Sequence, residues 1–520
     1  MEPDLKKISV TIWIILAGIL LYTATLWQRP LFIFEFPSEE ILSGSSLKGN
    51  LLPLSQHLEL FILKNAGGVP FWNRIFTALM TIAAGGVLFL AGSRGALANS
   101  AKAGALIFLL MPAVFLFGTS ASPYLQQGAL LTITLFSLFA FAESTSKGKL
   151  ALWGAAGILA VTGTLTLFTA PLLYLTALAV LLLYLLCRRI FISGHKHSSY
   201  LVLLAFIPGA FLLPGTNWQT LQVPPGTVSL KSVAALLSAG CFPWIVLVPF
   251  LLKNFRARLR TISNEPFTLF SLIVFLCSLA GIFFTGLSGG LFAAALAGLA
   301  ILMAAFMEME YLENGSRIFN TLLWVLAIIF FSAALFLGGY GALTLYTKML
   351  PASCKIFTPR DAWALTALVP AVSGIWFITA AGEMLHKERK FLAFCAGTAF
   401  VLLAFHGLVP LKIVENNAPV KFLTQAVSPR LPLSAPIYCD KTLLVPASGV
   451  FEAERIKYLP SPEDLAPLKS AAKEKKSFCV LTLSRKVSDA LPFPKTTIRS
   501  GRFIAVFYNI DFPEMRVRKQ

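Results

Sequence analysis

Three carboxylates stand close together early in the chain, in the stretch RPLFIFEFPSEEILSGSSLKGNLLPL: Glu35, Glu39 and Glu40. A carboxylate at a water–lipid boundary can act as general base, drawing a proton from an acceptor hydroxyl or amine. It can equally hold a divalent cation beside a phosphate. Taken alone, three acids in a polar stretch fit a solvated loop better than either use. Chemistry on a phosphate would also need cations. Arginine offers a bidentate match to phosphate and lysine a point charge. Arg74, Lys348 and Arg360 are the candidates, each beside an apolar block, where an interfacial anchor is the competing use. Other catalytic patterns are absent: no Walker A loop, no GxGxxG after a strand, no HExxH and no GxSxG elbow. His195 and His197 lie in a basic stretch without a carboxylate or cysteine nearby, which fits a solvated loop better than a metal site.

The elements that must position these residues are membrane spans. Apolar residues make up 57% of the 520-residue chain and charged residues 13%, against about 25% charged in an ordinary soluble domain. The apolar residues come in blocks of about 17–22, the length that crosses a hydrocarbon core of about 30 Å. Backbone groups in lipid must bond within their own segment, and the blocks lack the alternation of barrel strands, so they are helices. They fall at about 8–27, 72–92, 103–119, 124–142, 150–168, 170–187, 199–215, 232–252, 266–285, 289–307, 318–338, 362–382 and 391–409, or about thirteen spans in all. The first block is long and lacks a clear cleavage site, which predicts a retained span. The formal charge of +19 does not mark nucleic acid. The basic residues lie mostly in short connections and near the C-terminus, where they set topology and meet anionic lipids.

With the N-terminus in the cytoplasm, the loops holding Arg94 and Lys102, Lys147 and Lys149, Arg188, Arg189 and Lys196, Lys253 to Arg260, and Lys387 to Lys390 all fall inside. The long loop at 28–71 and the segment 411–520 then face outward. The expected division is a membrane domain over 1–410 and a small extracytoplasmic α/β domain over 411–520. In the latter, IYCDKTLLVP, ERIKYLP and SFCVLTLS read as strands and 461–476 as a helix. TTIRSGRFIAVFYN reads as a hairpin turning at Ser500-Gly501. A Cys439–Cys479 disulfide is open to an extracytoplasmic segment, though sequence does not fix the pairing. The spans carry almost no charge, which weighs against an ion-coupled carrier. GLSGG (286–290) and GGYG (338–341) lie at predicted span boundaries and read as turns.

The layout resembles the GT-C superfamily of polyprenyl-phosphate-dependent glycosyltransferases, especially its lipid A aminoarabinose transferases and protein O-mannosyltransferases. FPSEE (36–40) stands where that family has an acidic motif. GVPFWNRIFTAL places Arg74 near the start of span two. LFGTSASPYLQQGALL (116–131), LTLFTAP (165–171) and GCFPWIVLVP (240–249) also match local patterns. The resemblance implies a bacterial-type inner-membrane enzyme that moves a sugar from a polyprenyl-phosphate-linked donor to an envelope acceptor, without a redox cofactor. It implies Glu39 as the first choice of base with Glu35 and Glu40 as substitutes, and Arg74, Lys348 and Arg360 on the donor phosphate. The departures are specific. Ser38 stands where the family has Asp, Tyr124 and Gln126 occupy a region that usually holds an Asp, and no lysine appears in GLSGGLF. A non-catalytic homologue in polysaccharide assembly and a lipid-linked glycan ligase or carrier are the alternatives.

Overall fold

The computed structural model describes residues 71–92, 98–119, 123–143, 171–191, 230–247, 264–285, 289–314, 317–346, 362–382 and 387–407. It also describes the single positions Tyr22 and Thr162 and, near the C-terminus, parts of 423–510. The described helices are α1 (Phe71–Gly92), α2 (Ala98–Leu109), α3 (Pro112–Gly118), α4 (Pro123–Glu143), α5 (Pro171–Phe191), α6 (Leu230–Cys241), α7 (Pro266–Thr285), α8 (Gly289–Asn314), α9 (Arg317–Tyr346), α10 (Ala362–Gly382) and α11 (Lys387–Gly407). Proline opens α3, α4, α5 and α7. Its missing N–H costs nothing there, because the first turn has no intrahelical partner for it. Among the described residues, the helices over Arg74–Gly92, Pro266–Phe283, Gly290–Met309 and Asn320–Gly339 are long and apolar enough to cross a membrane.

Glycine contacts fix the helix directions. Gly85 meets Leu109 and Gly92 meets Ala101, so α1 and α2 are antiparallel. Gly298 lies against Ser271 and Phe275, and Gly281 against Leu291, so α7 and α8 are antiparallel. Gly128 touches Gly290 and Ala293, so α4 runs parallel to α8. Helices α1, α4, α5, α8 and α10 therefore start at one end of the bundle, the Arg74 end. Helices α2, α7, α9 and α11 start at the other, the Lys390 end. The axis of the bundle is α8, whose span is almost wholly buried. Its sequence GGLFAAALAGLA explains why: small side chains let α2, α4 and α7 approach closely. By contrast, α9 and α10 turn Ile328, Leu335, Phe336, Leu368 and Ile375 outward, as lipid-facing helices do.

Several boundaries differ from the sequence reading. The span expected at 103–119 is two helices broken at Leu110-Met111, before Pro112. Pro112 has no N–H for the carbonyl four residues back, so the ladder restarts after the break. The expected span at 232–252 is helical only to Cys241 and resumes as a 3-10 turn over Trp244–Leu247. Helix α8 runs through the acidic stretch to Asn314, and α9 passes through Gly338–Gly341 to Tyr346, so GGYG is helix and not a turn. In lipid a helix keeps its internal bonds even where glycine weakens it. In GLSGG, Gly289 and Gly290 open α8, and the preceding residues lie outside those described. Basic residues expected in connections are also helical: Arg188 and Arg189 end α5, and Lys387 to Lys390 open α11.

Near the C-terminus five strands form one mixed sheet in the order β2-β1-β3-β5-β4. They are β1 (Ile437–Asp440), β2 (Ile456–Leu459), β3 (Phe478–Thr482), β4 (Lys495–Ser500) and β5 (Phe503–Tyr508). Strand β1 is parallel to β2 and β3, whereas β5 is antiparallel to β3 and β4. Ser500 pairs with Phe503 across the expected hairpin. Alternate residues separate two cores, Ile437, Cys439, Cys479, Leu481 and Phe507 on one face and Tyr438, Phe478, Val480 and Tyr508 on the other. Both faces are covered, which is why the central strands read as continuous apolar runs. Cys439 and Cys479 are buried thiols on adjacent strands and form no disulfide. Burial pushes the Cys479 thiol up, and the Arg455 charge opposes the shift.

Candidate functional site

Three polar residues of α1 lie on one face. Arg74, Thr77 and Thr81 follow the spacing i, i+3, i+7, so a helix of 3.6 residues per turn stacks them along a single stripe. All three are buried, Arg74 at 4% exposure. Thr81 donates to the Thr77 carbonyl at 2.8 Å, which satisfies its hydroxyl within the helix. From the first turn of α4, Gln126 Nε2 donates to Thr77 Oγ1 at 2.9 Å. Gln126 is itself 2% exposed. A guanidinium and two hydroxyls thus lie along one buried stripe of α1, and the Gln126 amide bonds to the middle one. A guanidinium carries five donors and no acceptor, and the amide adds further donors, so the group is built to face acceptors and negative charge.

Tyr22, from the predicted first span, reaches the same region. Its hydroxyl donates to the Leu109 carbonyl at 3.0 Å. That carbonyl ends α2 at the break, so the tyrosine supplies the partner that helix continuation would have given. The ring meets Phe115 edge to face at 5.5 Å between centroids. A side chain at Gly118 would stand 2.6 Å from the Tyr22 ring and 3.1 Å from Thr81 Oγ1, so glycine is what lets the three segments close.

Of the site candidates singled out in the sequence, Arg74 is the one that the structure describes, buried on the stripe of α1 that carries Thr77. Glu35, Glu39, Glu40, Lys348 and Arg360 lie outside the described residues, as do His195 and His197. Gln126 entered the sequence reading as a departure from a family pattern, and here it is a bonded member of the cluster. Thr77 was missed. Its signal was present: a polar residue one turn after Arg74 on an otherwise apolar helix. Among the described residues no group of three His, Cys, Asp or Glu converges as a metal site would require.

A second polar cluster, at the Lys390 end, is a structural tie. Arg188 pairs with Glu143, Tyr184 donates to Glu143 at 2.8 Å, and Arg188 donates to the Tyr184 hydroxyl at 2.8 Å. These contacts join the ends of α4 and α5. Glu265 precedes α7 and accepts from the Thr268 N–H, capping the helix where its dipole favours a carboxylate. The Phe-Pro-Trp stretch also serves packing. Trp244 is fully buried with its ring 4.4 Å from that of Phe394, and Phe242 meets Phe330.

The architecture is a bundle of apolar helices, four of them among the described residues long and apolar enough to cross a membrane, and its fold is shared with solved structures. Solved structures that it is similar to include crystal structures of ArnT from Cupriavidus metallidurans. The structure bound to undecaprenyl phosphate has a TM-score of 0.64 at 14% sequence identity, over 95% of this chain and 97% of that one. The apo structure gives 0.63 at 15% identity over the same shares. No protein-family model matches the chain, and no curated protein does.

Proposed function

We propose that the chain is a membrane glycosyltransferase that moves a sugar from a polyprenyl-phosphate donor to an envelope acceptor at the outer face of a bacterial-type inner membrane. The observation that carries this reading is the buried Arg74–Thr77–Gln126 cluster at one end of a bundle with the fold of ArnT, a protein whose crystal structure holds undecaprenyl phosphate. The reading assigns the Arg74 end to the outside, with the N-terminus cytoplasmic. Residues 1–410 form the membrane domain and 411–520 the extracytoplasmic one.

Arg74 binds the donor phosphate, with Lys348 and Arg360 as further cations. The acceptor oxygen or nitrogen attacks the anomeric carbon, and its proton passes to the carboxylate of Glu39, or of Glu35 or Glu40. The bond from the anomeric carbon to the phosphate oxygen breaks through an oxocarbenium-like state. Polyprenyl phosphate leaves with the electron pair, and the cations stabilise its charge. A divalent cation held by the same acids is the alternative use of those carboxylates.

One observation favours a second reading, a non-catalytic homologue in polysaccharide assembly. Gln126 is an amide where the GT-C resemblance leads one to expect an acid, and it can bind but cannot take up a proton. Glu39→Gln separates the two. Loss of sugar transfer from a polyprenyl-phosphate-sugar, in a protein that still purifies folded and still binds the lipid, supports the enzyme. No transfer by the unaltered chain to any envelope acceptor fraction, with lipid binding intact, supports the homologue.

A further inference from the structure

Helix α1 turns two faces to different surroundings. Leu79 and Leu90 are half exposed, as lipid-facing residues are, while Arg74, Thr77 and Thr81 are buried on another side. Lipid tails are as apolar as leucine, so hydrophobic burial gives such a helix little preference for one rotation about its axis over another. Specific contacts must set it, and two of them touch the buried stripe. Gln126, in the first turn of α4, donates from Nε2 to Thr77 Oγ1 at 2.9 Å. One turn further along, Thr81 lies against Gly118 of α3, where an added Cβ would stand 3.1 Å from its Oγ1. The stripe is thus held by α4 at Thr77 and by α3 at Thr81.

Arg74 shares that stripe. It precedes Thr77 by three residues, which places the two Cβ atoms about 5–6 Å apart on one helix face. The ladder between them is rigid, so a rotation that breaks the Thr77 contact carries Arg74 with it. Turning a helix by about 30° moves an atom at its perimeter by about 3 Å, enough to break a hydrogen bond. The charge of the pinning residue matters as well, and an amide bonds without carrying one. Helix α1 contains no acid, and the first turns of α4, α5 and α8 contain none either. Arg74 is therefore the charged group that these four helix starts supply. The other titratable side chains of these helix starts and of the contacting segment before them are the phenols of Tyr22, Tyr124 and Tyr174.

We propose that Gln126 and Thr77 are positioning residues for Arg74: their bond sets the rotation of α1 that presents the guanidinium to the donor phosphate, and the neutral amide adds no counter-charge to it. This rests on the donor reading above, in which Arg74 binds the polyprenyl phosphate.

The test measures binding of undecaprenyl phosphate to the full chain in detergent, together with thermal unfolding. Thr77→Val and Gln126→Leu each weaken binding roughly 3- to 20-fold, the span of an interhelical hydrogen bond in a membrane. Gly298→Ala loosens α8 against α7 instead, so it lowers the unfolding midpoint and leaves affinity unchanged. Gln126→Glu keeps the shape and can accept from the Thr77 hydroxyl, so it unfolds no earlier than Gln126→Leu. It nevertheless binds more weakly than Gln126→Leu near neutral pH, and regains affinity as acid protonates the new carboxyl. Thr77→Val is nearly isosteric and decides if Gln126→Leu does not fold. Unchanged affinity in Arg74→Gln removes the donor reading, and the positioning role falls with it. Weakened binding in Arg74→Gln beside unchanged binding in a folded Thr77→Val or Gln126→Leu keeps that reading and overturns the inference. So does Gln126→Glu binding as tightly as the unaltered protein at neutral pH, or an equal loss of affinity in Gly298→Ala.

Discussion

The side-chain amide of Gln126 donates to the hydroxyl oxygen of Thr77 at 2.9 Å, joining the first turns of α4 and α1 inside an apolar bundle. Both residues are buried. The contact holds the helix face that carries Arg74 against α4, so the cation and the amide keep a fixed relation.

Removing one side of that contact is expected to cost more than removing both. Thr77→Val is nearly the same size and deletes the acceptor, leaving a buried amide short of a partner. Interhelical polar contacts in membranes are worth about 0.5–2 kcal/mol, and an orphaned buried donor costs about 1–3 kcal/mol. A double-mutant cycle of Thr77→Val with Gln126→Leu, followed by unfolding in detergent, should show the two losses falling short of additivity. Strict additivity would mean that the bond carries no coupling.

Arg74 should govern affinity for the lipid phosphate under the proposed function. A charge-assisted hydrogen bond is worth about 1.5–3 kcal/mol, or roughly a 10- to 100-fold change in Kd. Arg74→Gln is therefore expected to weaken undecaprenyl-phosphate binding by about that factor, and Arg74→Lys to keep part of it. Titration of the lipid against the purified protein measures this. Unchanged affinity in Arg74→Gln would remove the arginine from the donor site.

Gly298 marks the closest approach of α8 to α7. A Cβ there would lie 2.7 Å from the Ser271 carbonyl oxygen and 2.9 Å from the Phe275 nitrogen, both backbone atoms that cannot swing away. Gly298→Ala is expected to destabilise the bundle by about 1–3 kcal/mol through overpacking. Gly86 has open space where its Cβ would be, and Gly86→Ala should be neutral or stabilising by up to about 1 kcal/mol. Equal midpoints for the two variants would contradict the close packing of α7 on α8.

Cys479 predicts a reactivity and a pH effect. Its thiol is buried and its pKa is raised by loss of solvation, and the thiolate is the reactive form. Maleimide should label it at neutral pH only after unfolding. The sign of the linkage follows: the unfolded thiol ionises near about 8.5 while the folded one stays protonated, so the unfolded state sheds its proton first. The contribution to stability is complete below that pH and declines above it. Cys479→Ala should remove part of the alkaline slope in a denaturation series run from neutral to high pH. An unchanged slope would mean that the buried thiol contributes nothing to it.

The spans and strands were legible because each has a period that burial imposes. Apolar blocks of spanning length marked α1, α4, α7 and α10 closely, short apolar runs marked β1 and β3, and a Ser-Gly turn marked the β4–β5 hairpin. Where the sequence misled, a local signal was overridden by the surroundings. Lys387 to Lys390 looked like a connection because charge suggests water, yet the helix extends through them and buries Lys390. GGYG looked like a turn because glycine permits one, yet lipid penalises an open ladder more than glycine weakens a helix. Arg74 was legible as a lone cation beside an apolar block. Its neighbours Thr77 and Gln126 became a cluster only when two helices distant in sequence were brought together, and no short pattern encodes that.

The hydrogen bond from Tyr22 to the Leu109 carbonyl acts as a mooring. It fixes the chain at one point before the acidic stretch, and the start of α1 at Phe71 fixes it at another. Tyr22→Phe would remove that hydrogen bond and keep a ring to meet Phe115. The contacts of Tyr22 with Leu109 and Phe115 therefore join a residue far back in the chain to the break between α2 and α3.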